Sequence, residues 1–315
     1  MSYTTNVKNE ILNMEYHESE LISELSAIIN INGTIKKNSI SLYTENIGVS
    51  RRIYKLIKDI FNINAIITKE EINRLNKNYI IHINITEDVE KILKTLDLIN
   101  ENNKRKYKPS NYIVDSLEEK KSYLRGAFLI CGSVNDPKTS RYHLEFIIEN
   151  KIVVYFVNNL LNSLNFNSKV LKREKHYMVY LKESEKISDF IKLLNAYNSL
   201  FYYEDIRIYR DHVNMTNRLN NCEQANTDKI VFSSNEQLEN IEKLKSMYDF
   251  DLLDDKIKEI CIYKEKYRES SMQELANIIS LETGTKITKS GINHRFRKIK
   301  EMITKNKRYP MSRTK

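Results

Sequence analysis

The chain has 315 residues, of which 41% are hydrophobic and 30% charged, and its formal net charge is +9. The length predicts two or three domains. The balance of hydrophobic and charged residues is typical of a globular protein and excludes a disordered chain. No stretch approaches the roughly 18 consecutive apolar residues of a membrane span, and the first residues have no apolar secretory segment, so we expect a cytoplasmic protein without a membrane partner.

The first two thirds of the chain contain an internal duplication. Residues 24–35 (ELSAIININGTI) and 123–134 (YLRGAFLICGSV) are similar apolar segments, and their glycines, Gly33 and Gly132, are 99 positions apart. Three further pairs follow in the same order at a nearly constant offset: 60–67 and 163–170, 79–84 and 177–182, and 89–96 and 187–194. Matches kept in one order are hard to attribute to chance, and they predict a tandem repeat.

Each copy, about residues 20–100 and 118–200, is predicted to fold as helix, two strands, helix, two strands and helix. Alternating polar and apolar residues in 39–44 and 141–147 indicate half-buried strands. A single apolar face over 51–61 indicates an amphipathic helix. The predicted fold class of this part is therefore α+β.

The opening helices of the two copies carry small residues at which their backbones can approach closely. These are Ser26 and Ala27 in the first helix and Gly126 and Ala127 in the second. Their packing would relate the copies by a pseudo-two-fold axis and arrange two antiparallel sheets around a concave face. This duplicated αββαββα body resembles the LAGLIDADG homing-endonuclease fold.

The resemblance includes a departure at the catalytic positions. In the endonucleases a carboxylate directly precedes the last glycine of each motif, and the pair holds the divalent metals for phosphodiester hydrolysis. Here those positions are Asn32 and Cys131, which supply no anionic oxygen ligand. We therefore expect no catalytic residue, no metal and no cofactor. The concave face is then a candidate docking surface for a regulatory protein or a small ligand, and the alternative is a metal-dependent LAGLIDADG-type endonuclease with atypical ligands.

The excess positive charge lies at the C-terminal end of the chain. Residues 256–315 contain 16 Lys and Arg against 6 Asp and Glu, whereas the preceding residues contain 35 against 36. This asymmetry indicates a basic module that binds a polyanion and is carried by a nearly neutral body. We expect the body over residues 1–215, a junction over 216–230 and an all-α module over 231–315.

The module has the pattern of a helix-turn-helix. Its predicted helices are 254–268, 272–280 and 289–303. Ser271 and Glu274 form a capping box for the second helix, because Ser at the N-cap and Glu three residues later satisfy each other's backbone amides. Thr288 caps the third helix, and Ile287 can pack against Ile292 as a hydrophobic staple.

The third helix combines an apolar face, formed by Ile292, Phe296 and Ile299, with basic and polar residues elsewhere. In a helix-turn-helix such a helix enters the major groove of double-stranded DNA, where its first residues reach base edges and its Lys and Arg contact phosphates. The alternative is a basic helical bundle that binds a protein partner. The predicted DNA-binding residues are Ser271, Gln273, Lys286, Thr288, Lys289, Ser290, Gly291, Asn293, His294, Arg295, Arg297, Lys298 and Lys300.

Three stretches together resemble the WhiA family of bacterial sporulation and cell-division regulators. They are 123–137 (YLRGAFLICGSVNDP), 217–231 (NRLNNCEQANTDKIV) and 288–299 (TKSGINHRFRKI). The second is the most specific, because no general fold requirement explains its combination of Asn, Arg, Cys, Glu and Gln. From its residues alone it is only a polar junction that could cap helices or dock two domains. The resemblance implies a nucleoid-associated transcription regulator, without enzymatic activity, involved in cell division, chromosome segregation and, in spore-formers, sporulation.

Overall fold

The computed structural model describes residues 2–12, 17–74, 77–139 and 141–308, with side chains except those of 72–78 and 306–308. The chain divides into two compact units, Met1–Asp211 and His212–Lys315. Each unit has its own hydrophobic core, and we describe each separately. Within the described ranges, no helix is both long enough and apolar enough to cross a bilayer.

The first unit contains two copies of one αββαββα pattern, preceded by helix α1 (Tyr3–Ile11). The first copy consists of α2 (Glu18–Asn32), β1 (Thr34–Lys36), β2 (Ser39–Thr44), α3 (Ile47–Phe61), β3 (Ile66–Arg74), β4 (Lys77–Ile85) and α4 (Val89–Thr95). The second consists of α5 (Leu117–Cys131), β5 (Gly132–Val134), β6 (Leu144–Ile148), α6 (Lys151–Ser163), β7 (Lys169–Lys172), β8 (Tyr177–Leu181) and α7 (Ser184–Leu193). A short 3-10 helix, Asn111–Ile113, lies between them.

The two sheets have the same topology, which confirms the predicted duplication and the α+β fold class. The strand orders are β1-β2-β4-β3 and β5-β6-β8-β7, and all neighbours are antiparallel. Two predicted elements of the first unit have different bounds. The strand predicted over 141–147 is observed at Leu144–Ile148, and the helix predicted over 51–61 begins at Ile47. It begins earlier because the Asn46 side chain accepts hydrogen bonds from the amides of Gly48 and Val49.

Helices α2 and α5 pack against each other at the small residues that the sequence indicated. A Cβ atom on Gly126 would lie 2.3 Å from the carbonyl oxygen of Glu24 and 3.1 Å from the Cβ of Ala27. Glycine is therefore required at this crossing, since any side chain would push the two backbones apart. The Ser26 hydroxyl is buried and donates to the carbonyl oxygen of Leu96, at the end of α4, at 2.9 Å, so this buried polar group has a hydrogen-bond partner.

A buried ionic cluster also joins these helices, and the sequence did not reveal it. The Glu24 carboxylate is fully buried and accepts from Nε and Nη2 of Arg52, at 3.0 and 2.9 Å, and from Nε of Arg125 at 2.9 Å. Arg125 also donates to the Ser122 hydroxyl. The Glu24 carboxylate thus binds guanidinium groups from both α3 and α5, which ties both helices to α2.

Helix α8 (Tyr197–Met247) continues past the division at Asp211 into the second unit. Residues 216–230, where we expected a junction, are helical and exposed. The second unit further contains a 3-10 turn, Phe250–Leu252, and helices α9 (Asp255–Lys266), α10 (Met272–Thr283) and α11 (Lys289–Arg308). Its core is formed by the C-terminal part of α8 and by α9, α10 and α11, with Ile241, Ile260, Leu275, Ile292 and Ile299 among its buried residues.

Candidate nucleic-acid interface

Helix α10 begins with the capping box that the sequence predicted. The Ser271 hydroxyl accepts from the amide of Glu274 at 3.2 Å, and the Glu274 carboxylate accepts from the amide of Ser271 at 2.8 Å. The helix ends at Gly284, whose φ of 71° lies in the left-handed region that glycine adopts without strain. Both ends of α10 are therefore fixed by local sequence.

The turn into α11 is held by hydrogen bonds from short side chains. The Thr288 hydroxyl accepts from the amide of Gly291 at 3.2 Å, as expected of an N-cap. The Ser280 hydroxyl accepts from the amide of Ile287 at 2.9 Å, which ties the end of the turn to α10. Ile287 packs, partly buried, against the core that contains Ile292, so the orientation of α11 is set where it begins.

The apolar face of α11 is buried along its length, which determines the side that faces solvent. Ile292 and Ile299 are fully buried, and Phe296 and Ile303 are nearly so. The opposite faces are exposed from the first turn onward. The predicted DNA-binding residues that are exposed on α11 are Lys289, Ser290, Asn293, His294, Arg297, Lys298 and Lys300.

Several predicted residues have structural partners that sequence reasoning did not anticipate. Arg295 is half-buried and forms an ion pair with Glu259 of α9. Lys300 lies 2.8 Å from Glu236 of α8 and lowers the pKa of that carboxyl group. Lys298 lies 3.5 Å from Asp254. Glu259 and Glu236 lie on other helices of the unit and Asp254 is the N-cap of α9, and no local sequence pattern indicates which basic residue of α11 they contact.

The remaining predicted residues lie on α10 or in the turn. Gln273 is exposed, and its amide group donates to the Asn277 side chain at 3.2 Å. Lys286 is exposed in the turn, whereas Gly291 is half-buried in the first turn of α11. The hydroxyls of Ser271 and Thr288 accept backbone amides, so both residues have a capping role in this state.

A buried lysine of α9 contacts the loop that leads into α10. Lys264 of α9 is 1% exposed, and its ammonium group donates to the carbonyl oxygen of Ser270 at 2.8 Å. Burial lowers the pKa of Lys264 to about 8, because the charged form loses its hydration. The contact fixes the loop directly before the N-cap of α10.

In the first unit, the two positions that hold metal in the endonucleases line a cavity of about 1020 Å³ at the ends of α2 and α5. The Asn32 side chain accepts from the amide of Tyr43 at 3.0 Å. The Cys131 thiol donates to the carbonyl oxygen of Ala127 at 3.2 Å, and burial raises its pKa to about 12, so it is protonated at neutral pH. Both side chains are thus engaged with the backbone.

Helix α1 adds a cation to the same cavity. The ammonium group of Lys8 lies 5.6 Å from the centroid of the Phe128 ring, and burial lowers its pKa to about 8. An amide, a protonated thiol and an ammonium group do not fit a divalent metal, which requires anionic oxygen ligands. In the part of the chain that the structure describes, no group of three or more His, Cys, Asp and Glu side chains could hold a metal ion.

Three family models match the chain in succession. Residues 18–99 match the WhiA N-terminal LAGLIDADG-like domain, 120–213 the WhiA LAGLIDADG-like domain, and 216–303 the WhiA C-terminal HTH domain. The third match covers helices α9 and α10 and most of α11. The chain therefore carries a helix-turn-helix domain of the WhiA type.

Whole-chain similarity agrees with these matches. The probable cell division proteins WhiA of Bacillus mycoides (strain KBAB4) and Bacillus cytotoxicus are each 39% identical to the chain over 309 residues, which is 97% of both lengths. The crystal structure of full-length DUF199/WhiA from Thermatoga maritima has the same fold, with a TM-score of 0.58 and 21% identity over 97% of this chain and 98% of that one. The chain belongs to the WhiA family.

Proposed function

We propose that the chain is a non-enzymatic DNA-binding protein that regulates transcription. The observation that carries this proposal is the exposed side of α11, where Lys289, Ser290, Asn293 and His294 surround the first turns and Arg297 follows. Amide and hydroxyl groups at the start of such a helix can read base edges, and the cations further along can contact phosphates. The net charge of +10 over residues 256–315 adds a favourable interaction with any duplex.

The ion pairs of α11 refine the roles of its cations. Arg295 is held by Glu259 and positions the helix, whereas Arg297 is exposed and suited to a phosphate contact. Lys298 and Lys300 have acidic neighbours at the surface, and such exposed pairs are weak enough to be exchanged for phosphates when DNA binds. We therefore expect phosphate contacts from Arg297, Lys298 and Lys300, with the largest from Arg297.

The absence of nuclease activity is part of the proposal. It is supported by the chemistry of Asn32, Cys131 and Lys8, which offers no anionic oxygen at the metal positions. Purified protein incubated with duplex DNA and Mg²⁺ or Mn²⁺ should leave the DNA intact. Cleavage that follows the protein through purification and is lost on chelation would support the atypical endonuclease instead.

The proposed cellular role is in cell division, chromosome segregation and, in spore-formers, sporulation. Its support is the family resemblance and the names of the relatives, which are probable cell division proteins. We place the protein in the cytoplasm on the nucleoid. The body is the proposed docking surface for a second regulatory protein, because the sheets expose large apolar residues such as Tyr43, Ile67, Ile147 and Leu171.

A genome-wide binding map of the tagged full-length protein tests this function. We expect discrete sites that share one sequence motif and lie at promoters, among them promoters of division genes. The matched control is an Asn293→Ala, Arg297→Ala chain expressed at the same level, which should lose these sites. Uniform coverage that the variant does not change would contradict sequence-specific regulation.

A further inference from the structure

The cavity lined by Asn32 and Cys131 is called the saddle cavity below. A second cavity of the first unit lies beside it and has a different chemistry. It encloses about 850 Å³, which is within the range of small-molecule sites. It is formed by the β1–β2 hairpin, the start of α4, the segment after Ile99 and the residues before α6. Its polar lining includes Lys36, Lys37, Asn38, Asn103, Arg105 and Tyr107.

Arg105 is the distinctive residue of this cavity. Its guanidinium group is half-buried and donates to the carbonyl oxygens of Leu98 and Asn30 and to the Asn30 side chain, at 3.2, 3.4 and 3.0 Å. It also stacks on Tyr107, with 5.1 Å from the guanidinium carbon to the ring centroid. Among the residues that the structure describes, these partners are all neutral. Desolvation lowers the pKa of Arg105, so an anion beside it would be stabilised.

The charges around the cavity favour an anion as well. Lys36 and Lys37 are exposed at its rim, which with Arg105 gives three cationic groups. The two acidic residues of the lining are Glu90 and Glu149. Glu90 accepts from the Lys94 ammonium at 2.6 Å and from the Asn103 amide at 3.3 Å, which offsets its charge. Glu149 is exposed.

The cavity also has an apolar wall, so its ligand is more than an inorganic ion. Val89, Leu93 and Ile99 are buried residues that contribute to the lining. Cation-bearing and apolar walls facing one cavity are what a small molecule with a phosphate group and an organic part requires. We propose that this cavity binds a small organic phosphate, with the phosphate at Arg105, Lys36 and Lys37 and the organic part against Val89, Leu93 and Ile99.

The proposal is independent of DNA binding by the second unit, because every lining residue belongs to the first unit. The phosphate could in principle come from a nucleic-acid backbone. We commit to the small molecule because the cavity is half-enclosed and of limited volume, whereas a duplex backbone requires a row of cations along an open surface.

Titration calorimetry and thermal denaturation of the full-length chain, with inorganic pyrophosphate and ADP as probes, test the proposal. We expect saturable binding at one site per chain, with ADP tighter than pyrophosphate, and a rise in the melting temperature of the first unit. Lys36→Gln, Lys37→Gln should weaken both probes about tenfold, since two exposed charge contacts are lost. These lysines are exposed, so the double variant keeps the fold.

Arg105→Gln should abolish binding of both probes, provided that its melting curve shows a folded chain. The matched control is Lys169→Gln, Lys172→Gln, an exposed pair on β7 outside the cavity, which should bind as the wild type does. Absence of saturable binding by both probes would overturn the proposal, as would an equal loss in the control. It would also be overturned if Lys36→Gln, Lys37→Gln weakened duplex DNA binding as much as ADP binding, because the phosphate would then be that of DNA.

Discussion

The saddle cavity of the first unit and the exposed side of α11 are both supported by well-packed helices, but they differ in the side chains that they present. The saddle keeps the close helix crossing at Gly126 and both sheets, but its metal positions hold an amide and a protonated thiol, with the Lys8 ammonium beside them. Helix α11 has a buried apolar face and also a continuous exposed set of basic and polar side chains. A fold is thus maintained by buried packing, whereas an activity depends on a few side chains that can change independently of it.

The largest expected effect is in the body, and it tests whether the body is only a scaffold. Glu24→Gln removes the carboxylate that both buried guanidinium groups contact and should lower the free energy of unfolding of the first unit by about 3–5 kcal/mol. DNA binding at low temperature should stay unchanged. Calorimetry and DNA titration on one preparation measure both, with the exposed Glu18→Gln as control. A parallel loss of DNA affinity at a temperature where the variant is folded would place DNA contacts in the body.

Phe296→Ala is the corresponding change in the second unit. The ring is 9% exposed and packs in the core of that unit, so its removal should cost about 3 kcal/mol through the cavity it leaves. Specific and random DNA binding should fall together as the unit unfolds. Thermal denaturation followed by circular dichroism gives the stability. An unchanged melting curve would show that α11 is not held by this face.

Asn293→Ala should weaken sequence-specific DNA binding without destabilising the second unit. The side chain is exposed near the start of α11, and the loss of a bidentate contact to a base should cost about 1–3 kcal/mol on a specific site. Random DNA should bind as before, and the melting temperature should not move. Fluorescence anisotropy with both duplexes measures the difference. Equal losses on the two duplexes would mean that the sequence is read elsewhere.

Arg297→Ala should weaken specific and random binding alike and reduce the salt slope by about one unit, because one phosphate contact is lost. Lys300→Ala should change the slope less, since its ammonium group already has Glu236 as a partner at 2.8 Å. Binding constants measured over a range of NaCl concentrations give both slopes. A larger effect at Lys300 would show that this ion pair opens completely on DNA.

A pH dependence of stability arises from Lys264. Its pKa is lowered to about 8 in the folded unit and is 10.5 in the unfolded chain. Between these values only the unfolded chain keeps the proton, so deprotonation of the folded state makes the second unit more stable as the pH rises from 8 towards 10.5. The difference in melting temperature between the wild type and Lys264→Met measures it. A difference that does not change with pH would contradict this account of the buried ammonium.

The fold could be predicted from the sequence to a large extent, because its signals are local or repeated. The duplication appears as matches kept in one order. The capping box at Ser271 and the apolar face at Ile292 and Ile299 are each formed by residues a few positions apart. The continuous α8 helix was not foreseen. Residues 216–230 of this helix are all exposed. They therefore show no hydrophobic periodicity from which a helix could be predicted.

The candidate sites were only partly predictable for a related reason. The departures at Asn32 and Cys131 stand next to motif glycines and are visible in the sequence. Lys8, the Glu24 cluster and the acidic partners of Arg295 and Lys300 come from elements distant in sequence. Such contacts follow from tertiary packing, which a single sequence without its homologues does not display.

The most direct test of the account is a comparison of matched variants in the full-length chain, on a duplex that the wild type selects from a random pool. One variant carries Asn293→Ala and Arg297→Ala on α11, and the other carries Lys8→Met and Lys175→Gln at the saddle cavity. Anisotropy titrations should show that the α11 variant loses at least about 100-fold in affinity, while the saddle variant binds as the wild type does. A saddle variant that loses as much as the α11 variant would contradict the claim that DNA recognition resides in the helix-turn-helix.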